Sequence, residues 1–252
     1  MMETAASLIV VRNLTVGYAG SVVLERINFE VRRGEVFAIL GASGSGKSTL
    51  LKHLIGLHRP IAGEVLISGD NLASAEGPER LRILRKFGVL YQSSALFGSL
   101  SAIENVRLPL DEFTNLSEDA KDLIALSKLR LVGLESAATK LPADLSGGMQ
   151  KRAAIARAIV LDPCILFLDE PSAGLDPITS AGLDALIREL AKGLGITFVM
   201  VTHELASIYA VANRVIMLDP KVRGIVAEGP PSYLRDHAAQ SWVRHFLNRE
   251  AA

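Results

Sequence analysis

The chain has 252 residues, 27 basic against 27 acidic side chains, a 49% hydrophobic content and a single cysteine. That length can bury one large core, or a core with a subdomain, and with the charge balanced nothing points to a surface for DNA, RNA or anionic lipid. The lone Cys164 excludes a disulfide framework, and no apolar run approaches the ~18 residues of a membrane-spanning helix.

Met1 to Val11 lacks the basic start and long apolar stretch of a signal peptide, so a soluble chain made in the cytosol is expected. Leu8 to Val16 and Val22 to Val31 read as antiparallel strands leading into the core. Glu35 to Leu40 is an apolar run with the character of a buried strand. Ser48 to Ile55 reads as a helix stopped by Gly56.

Between that strand and helix stands Gly41-Ala42-Ser43-Gly44-Ser45-Gly46-Lys47-Ser48-Thr49, a phosphate-loop motif in its required context. The glycines let backbone N–H groups turn toward an anion, and the helix N-terminus adds partial positive charge. Gly41, Ser43, Gly44, Ser45, Gly46, Lys47, Ser48 and Thr49 are therefore candidate nucleotide ligands. Lys47 would reach the β- and γ-phosphates of ATP, and the Ser48 hydroxyl would ligate Mg²⁺.

Residues 35 to about 93 form the first half of a nucleotide-binding core, and 94 to about 155 turn helical. In that stretch Ser117-Glu118-Asp119 has the character of a helix start, with apolar residues at 120, 123, 124 and 131. Leu145-Ser146-Gly147-Gly148-Met149-Gln150 is a second glycine-rich turn, opening a helix from Met149 to Val160 that Asp162-Pro163 stops. Its N-terminus is a second anion site. Lys151, Arg152 and Arg157 on this helix read as a solvated face, since no wider basic surface accompanies them.

The α/β pattern resumes from about 156 to 219. Cys164, a small core residue, starts the apolar strand Ile165 to Leu168, which ends in Asp169-Glu170-Pro171. A fully apolar strand belongs in the middle of a parallel sheet, and its C-terminal edge is where such sheets bind ligands. Asp169 would hold Mg²⁺ and Glu170 would act as general base toward water. His203 follows the strand Ile196 to Val201 at the same edge. Asp176 precedes Pro177 and is placed to cap a helix. Gly224 to Gly229 is a short strand, Pro230-Pro231 breaks the chain, and a helical tail carries Trp242, Val243, Phe246 and Leu247 on one face. That stripe calls for a cover, either this chain's own core or a second protein.

Taken together, these motifs resemble the nucleotide-binding subunit of ATP-binding cassette (ABC) transporters over roughly positions 8 to 230. The resemblance implies an α/β fold: a RecA-like phosphate-loop ATPase core with an antiparallel N-terminal β subdomain and a helical subdomain carrying the signature turn. It implies an ABC ATPase domain over 8–229 and a C-terminal helical tail over 230–252. Gln92 in Leu90-Tyr91-Gln92-Ser93 is similar to the family's Q-loop, which makes it a Mg²⁺ ligand and a coupling point to the membrane partner. Ser172-Ala173-Gly174-Leu175-Asp176 is similar to the D-loop, His203 to the switch histidine that senses the γ-phosphate, and Tyr18 to the aromatic residue that stacks on adenine. Ser146, Gly147 and Gly148 would face the γ-phosphate held by another subunit, so the resemblance implies a head-to-tail dimer sandwiching two ATP molecules.

Tyr91 to Leu100, Glu104 to Leu110, Pro177 to Ser180 and Met149 are further similar to Mla-type ATPases, which serve MCE (mammalian cell entry) phospholipid transport systems. This implies a permease, an MCE lipid-binding protein and a STAS-type accessory protein as partners, with the chain peripheral on the cytoplasmic face of the inner membrane. A small-solute importer of the amino-acid type and a non-transport ABC ATPase are the alternatives.

Overall fold

The fold is described from a computed structural model, in which residues 7–18 and 20–250 are placed. Part of the N-terminal segment assessed for a leader, residues 1–6, lies outside the described residues, as does the end of the tail at 251–252. Two sheets organise the molecule. β1 (Ser7–Tyr18) and β2 (Ser21–Arg32) pair antiparallel, and β4 (Ala62–Ile67) with the short β5 (Asp70–Asn71) completes a four-stranded sheet in the order β2-β1-β4-β5. The sequence pattern assigns neither β4 nor β5, because a strand and the first helix intervene before the chain returns to pair with β1.

The second sheet has six strands in the order β10-β9-β3-β8-β7-β6. Its centre is β3 (Val36–Gly41), β8 (Thr197–Val201) and β7 (Ile165–Asp169), with β6 (Phe87–Leu90) parallel at one edge. At the other edge lie β9 (Arg214–Asp219), parallel to β3, and β10 (Gly224–Gly229), antiparallel to β9.

The central strands are apolar throughout because both faces are covered, and the two-residue period of the strand divides their side chains between two cores. Ala38, Leu40, Leu166, Leu168, Phe198 and Met200 enter one core. Phe37, Ile39, Ile165, Phe167, Val199 and Val201 enter the other. The second core lies against the antiparallel sheet and α1 (Lys47–Leu54).

The first core packs under the helical region: α3 (Ala102–Phe113), α4 (Glu118–Leu131), α5 (Gly147–Ala158) and α6 (Pro177–Leu194). Chain order also includes α2 (Gly77–Leu84) before β6 and α7 (Leu205–Val211) after β8. Ser117 caps α4 by accepting from Ala120 N–H, but the buried face of that helix is Lys121, Ala125 and Leu129. Leu123, expected on the apolar face, is 69% exposed, and Leu131 also points outward. The correction has a local cause. Lys121 turns its ammonium to Asp111 on α3 and Glu118 at 2.9 and 3.0 Å, so an ion pair fills a position that apolar counting gives to a leucine.

In the tail, α8 (Pro231–His237) and α9 (Ser241–Asn248) fold back on the same subunit. Val243 and Leu247 are fully buried in the first core, Trp242 and Phe246 pack against it, and the Tyr209 hydroxyl donates to the Leu247 carbonyl at 2.9 Å. The apolar stripe is thus covered by this chain's own core.

The contact between α5 and β6 fixes the helical region against the sheet. A Cβ added to Gly88 on β6 would lie 2.0 Å from the Ala158 carbonyl oxygen at the end of α5, a backbone atom that cannot step aside. Gly88→Ala is therefore expected to destabilise the fold by about 1–3 kcal/mol through overpacking, and to lower Tm by several degrees, at roughly 2–4 °C per kcal/mol. Gly193→Ala, in α6 with open space around the added atom, is expected to be neutral or stabilising by about 0.5–1 kcal/mol. Thermal or urea unfolding of the two variants side by side checks the pair.

Candidate functional site

The loops that follow β3, β8, β7 and β6 leave the sheet from the same edge, because these four neighbouring strands are parallel. They carry, in that spatial order, Gly41 to Thr49, His203, Asp169 with Glu170, and Gln92. Residues far apart in the chain meet there through strand pairing alone.

The glycine-rich loop passes from β3 into α1, and Gly46, at φ 94°, is the N-cap. Gly41 cannot carry a side chain. Its φ is 150°, and a Cβ would fall 2.5 Å from Ser45 Oγ and 2.6 Å from the Leu218 carbonyl. Residues 44–49 line a concavity of about 310 Å³ beside Val23. Lys47 Nζ donates to the carbonyls of Gly41 and Ala42 at 2.8 and 2.9 Å. Burial lowers the Lys47 pKa, and the Glu170 carboxylate acts in the opposite sense. Ser45 Oγ is buried with no partner among the described residues. Tyr18, at the end of β1, sits edge-on to His58 at 5.2 Å between ring centres and 6.2 Å from His53 of α1, with 40% of its surface exposed.

At the end of β7, Asp169 is half-buried, and burial first, then the Glu170 charge, raises its pKa. Glu170 takes a left-handed backbone, φ 46°, and its N–H bonds the Val201 carbonyl on β8 at 2.8 Å. A non-glycine residue in this region costs free energy that the surroundings must offset. The turn aims the carboxylate back along the sheet edge. Oε1 lies 2.9 Å from His203 Nδ1, while Oε2 is buried without a partner among the described residues. The Glu170 side chain is only 13% exposed, but His203 is 63% exposed, leaving its other ring nitrogen open to solvent. A groove of about 670 Å³ runs from His203 past Gly174 and Leu175 to Asp184.

Asp176 caps α6 by accepting from the N–H groups of Ile178 and Thr179, both at 3.0 Å. The Thr179 hydroxyl also donates to it and is the main cause of its lowered pKa. Ser146 caps α5 through Met149 N–H at 3.3 Å. The helix starts at Gly147, two residues earlier than the sequence pattern places it. A Cβ on Gly148 would lie 2.3 Å from Thr179 Cγ2, so the starts of α5 and α6 are in close contact. Ser146, Gly147 and Gly148 line neither the phosphate-loop concavity nor the groove at His203.

The cations of α5 are not a solvated face. Lys151 is 4% exposed and donates to the Gln92 carbonyl at 2.5 Å. Arg152 donates to the carbonyls of Val132 and Gly182, both at 3.1 Å. Arg157 donates to those of Ser94 and Ala95 at 2.8 and 2.6 Å. The physical reason lies in the rest of the helix. Ala153, Ala154, Ile155 and Ala156 are all buried, so α5 is enclosed on every side and its cations turn onto loop carbonyls. That surround is visible in the sequence as an unbroken apolar run.

Fold and site together define a phosphate-loop nucleoside triphosphatase. The family model for ABC transporters matches residues 24–173, more than half of the chain. The intermembrane phospholipid transport system ATP-binding protein MlaF of Haemophilus influenzae is 40% identical over 90% of this chain and 86% of its own. The "Probable ribonucleotide transport ATP-binding protein mkl" of Mycobacterium leprae is 41% identical over 94% of this chain and 68% of its own. Among solved structures, the ATP-binding cassette MJ0796, a dimer in a post-hydrolysis state with ADP and Pi, superposes with a TM-score of 0.79. It is 33% identical and is matched over 88% of this chain and 98% of its own. The chain belongs to the ABC transporter family, as an ATP-binding subunit that hydrolyses ATP. Among the described residues no helix is long and apolar enough to cross a membrane.

Proposed function

We propose that this chain is the ATPase subunit of an ABC transport system that moves phospholipids between membranes. In this reading it works as a head-to-tail dimer under a membrane permease, on the cytoplasmic face of the inner membrane, with an MCE protein and a STAS-type protein as further partners. The observation that carries the chemistry is the convergence of the phosphate loop, His203, Asp169, Glu170 and Gln92 on one edge of the parallel sheet.

Tyr18 stacks on adenine. The N–H groups of residues 41–49 and the Lys47 ammonium hold the phosphates, and Glu170 takes a proton from the attacking water while His203 steadies its carboxylate. The unpartnered, buried Glu170 Oε2 supports this role, since a buried carboxylate oxygen without a donor is costly unless it serves a substrate. Ser48, Gln92 and Asp169 supply only oxygen donors, the set that suits Mg²⁺. When bound, that ion would neutralise charge on the phosphates.

The signature turn borders neither cavity of its own chain, which supports its use across a dimer. Gly147→Asp tests this better than a change at Gly148. A Cβ at Gly147 makes an ordinary 3.4 Å contact with Leu175, whereas one at Gly148 collides with Thr179. The new carboxylate would sit in a helix's first turn, where it suits the dipole but repels phosphate. Gly147→Asp and Lys47→Ala homodimers should each be inactive. Mixing them should restore single-turnover ADP formation, because one site of each mixed dimer carries both defects and the other neither. A mixture as inactive as its parents would place both elements in one chain's site and overturn the arrangement.

The phospholipid reading is supported by a relative named for that transport and matched over most of its length. Local structure supports a permease contact. Buried Asn105 binds the backbone of Phe97, Leu100 and Ser101 at 2.8 to 3.1 Å, so a firmly held loop presents the exposed Phe97 outward. Mass spectrometry of the purified permease complex is expected to find bound phospholipid, and vesicle phospholipid to stimulate its ATPase. Stimulation by ribonucleotides, or by a solute-binding protein, would favour the corresponding alternative cargo.

A further inference from the structure

Four backbone carbonyls around the site are held by two side chains of α5. Lys151 Nζ is 2.5 Å from the Gln92 carbonyl and 3.5 Å from that of Glu170. Arg157 takes two more carbonyls of the Gln92 loop, those of Ser94 and Ala95. Both of those residues are in the left-handed region, φ 63° and 47°, as is Glu170 at 46°. Three non-glycine residues in that conformation persist only where their surroundings over-determine them, and the donors of α5 supply that constraint.

Lys151 is the most enclosed of the helix's cations, and among the described residues it, like Arg152 and Arg157, forms no ion pair within 4.0 Å. Burial lowers its pKa, while the Asp169 and Glu170 carboxylates act to keep the charge. An apolar side chain of similar length would fill the same space but would leave the Gln92 carbonyl without its donor, at a cost of about 1–3 kcal/mol. The ammonium thus holds loop backbone at the sheet edge as well as filling space.

We infer that Lys151 is a positioning residue for hydrolysis, tying the peptide of Gln92 to the peptide of Glu170 so that both side chains keep one register at the sheet edge. Glu170's carboxylate direction is set by its own backbone torsions, so a donor on its carbonyl steers the base without touching substrate. The same ammonium fixes where the Gln92 loop leaves β6. Arg157 holds the carbonyls of the residues that follow, so the loop is tied to α5 at three points. This rests on the reading of Glu170 as base and Gln92 as a Mg²⁺ ligand.

The test uses the full chain with MgATP and three variants. Lys151→Met keeps length and volume and removes the donors. It is expected to lower kcat by roughly 10–100-fold, the scale of a small misplacement of a catalytic group, with KM within about threefold and a fall in Tm of roughly 2–12 °C, the cost of the orphaned carbonyl. Lys151→Arg retains donors and should recover most of the rate. On a Glu170→Gln background, Lys151→Met should add a clearly smaller loss in single-turnover hydrolysis than on the wild type, because the part of its effect that runs through Glu170 is already gone. Wild-type kcat in Lys151→Met, or full additivity with Glu170→Gln, would overturn the inference. So would a rate loss matched by a fall in Tm that Lys151→Arg does not rescue. If Lys151→Met does not fold, Lys151→Gln is read by the same criteria. Lys47→Ala, assayed beside them, separates the two readings. A wild-type rate that Lys47→Ala abolishes keeps the proposed function standing even where Lys151 proves dispensable.

Discussion

Glu170→Gln is expected to bind ATP with near wild-type affinity and to hydrolyse it roughly 10²–10⁴-fold more slowly, the usual contribution of a general base. The substitution is close to isosteric. Glutamine meets the left-handed backbone at φ 46° no worse than glutamate does, so the loop keeps its shape. The electrostatic consequences favour retained binding. The Glu170 charge is the second cause, after burial, of the raised pKa of Asp169, so its removal relieves a repulsion between the two carboxylates. It also takes from Lys47 the one charge that works against its burial, but incoming phosphates replace that charge. What is lost is the acceptor for the water proton. The side-chain amide of the variant also offers N–H where Oε2 now stands unpartnered in a buried position. Single-turnover phosphate release measures the defect, and size exclusion with MgATP should show an accumulated dimer. Turnover near the wild-type rate in the assembled complex would remove Glu170 from this role.

How much of the molecule is legible in the sequence depends on the range of the interaction involved. The phosphate loop is local: strand, glycine turn and helix follow one another, and the torsions of Gly41 and Gly46 are the reason for the glycines. The acidic pair after β7 and His203 after β8 are legible because apolar strands announce a parallel sheet, and such a sheet gathers its loops at one edge. The strand order that makes Gln92 a neighbour of Asp169 is not written in any window of the chain. Nor is the return of β4 to β1.

Side-chain direction is the least legible feature. Lys151, Arg152 and Arg157 have the residue types of a wet surface, and only the apolar run between them says otherwise. The same failure recurs on α4, where Lys121 is inside and Leu123 outside. In both helices the cation follows a specific partner, a carbonyl or a carboxylate, and hydrophobic periodicity carries no information about such partners. The tail poses the opposite problem. Its apolar stripe is plain, but periodicity cannot say whose surface covers it, and here it is the chain's own core.

Lys47→Ala is expected to weaken MgATP binding by one to two orders of magnitude or more and to abolish hydrolysis, while leaving AMP binding unchanged. The ammonium rests on two neutral carbonyls, Gly41 and Ala42. Those bonds have one charged partner; phosphate oxygens would replace them with contacts in which both partners are charged, at about 1.5–3 kcal/mol each. A methyl group leaves a buried polyphosphate without its principal fixed cation, and the backbone N–H groups of residues 44–49 cannot supply full charge in its place. Stability should change little, since Lys47 sits at the first turn of α1, where a missing side chain costs the helix nothing and alanine is the best helix former. Lys47→Arg should not rescue, because a planar guanidinium cannot occupy the point position of an ammonium between two carbonyls on a tight loop. AMP is the internal control: in the proposed reading it lacks the β- and γ-phosphates that Lys47 would contact, while its adenine would still meet Tyr18. Fluorescent-nucleotide titration and phosphate release decide the matter, and survival of both MgATP affinity and hydrolysis in Lys47→Ala would show that the loop from Gly41 to Thr49 is not where this protein holds its triphosphate.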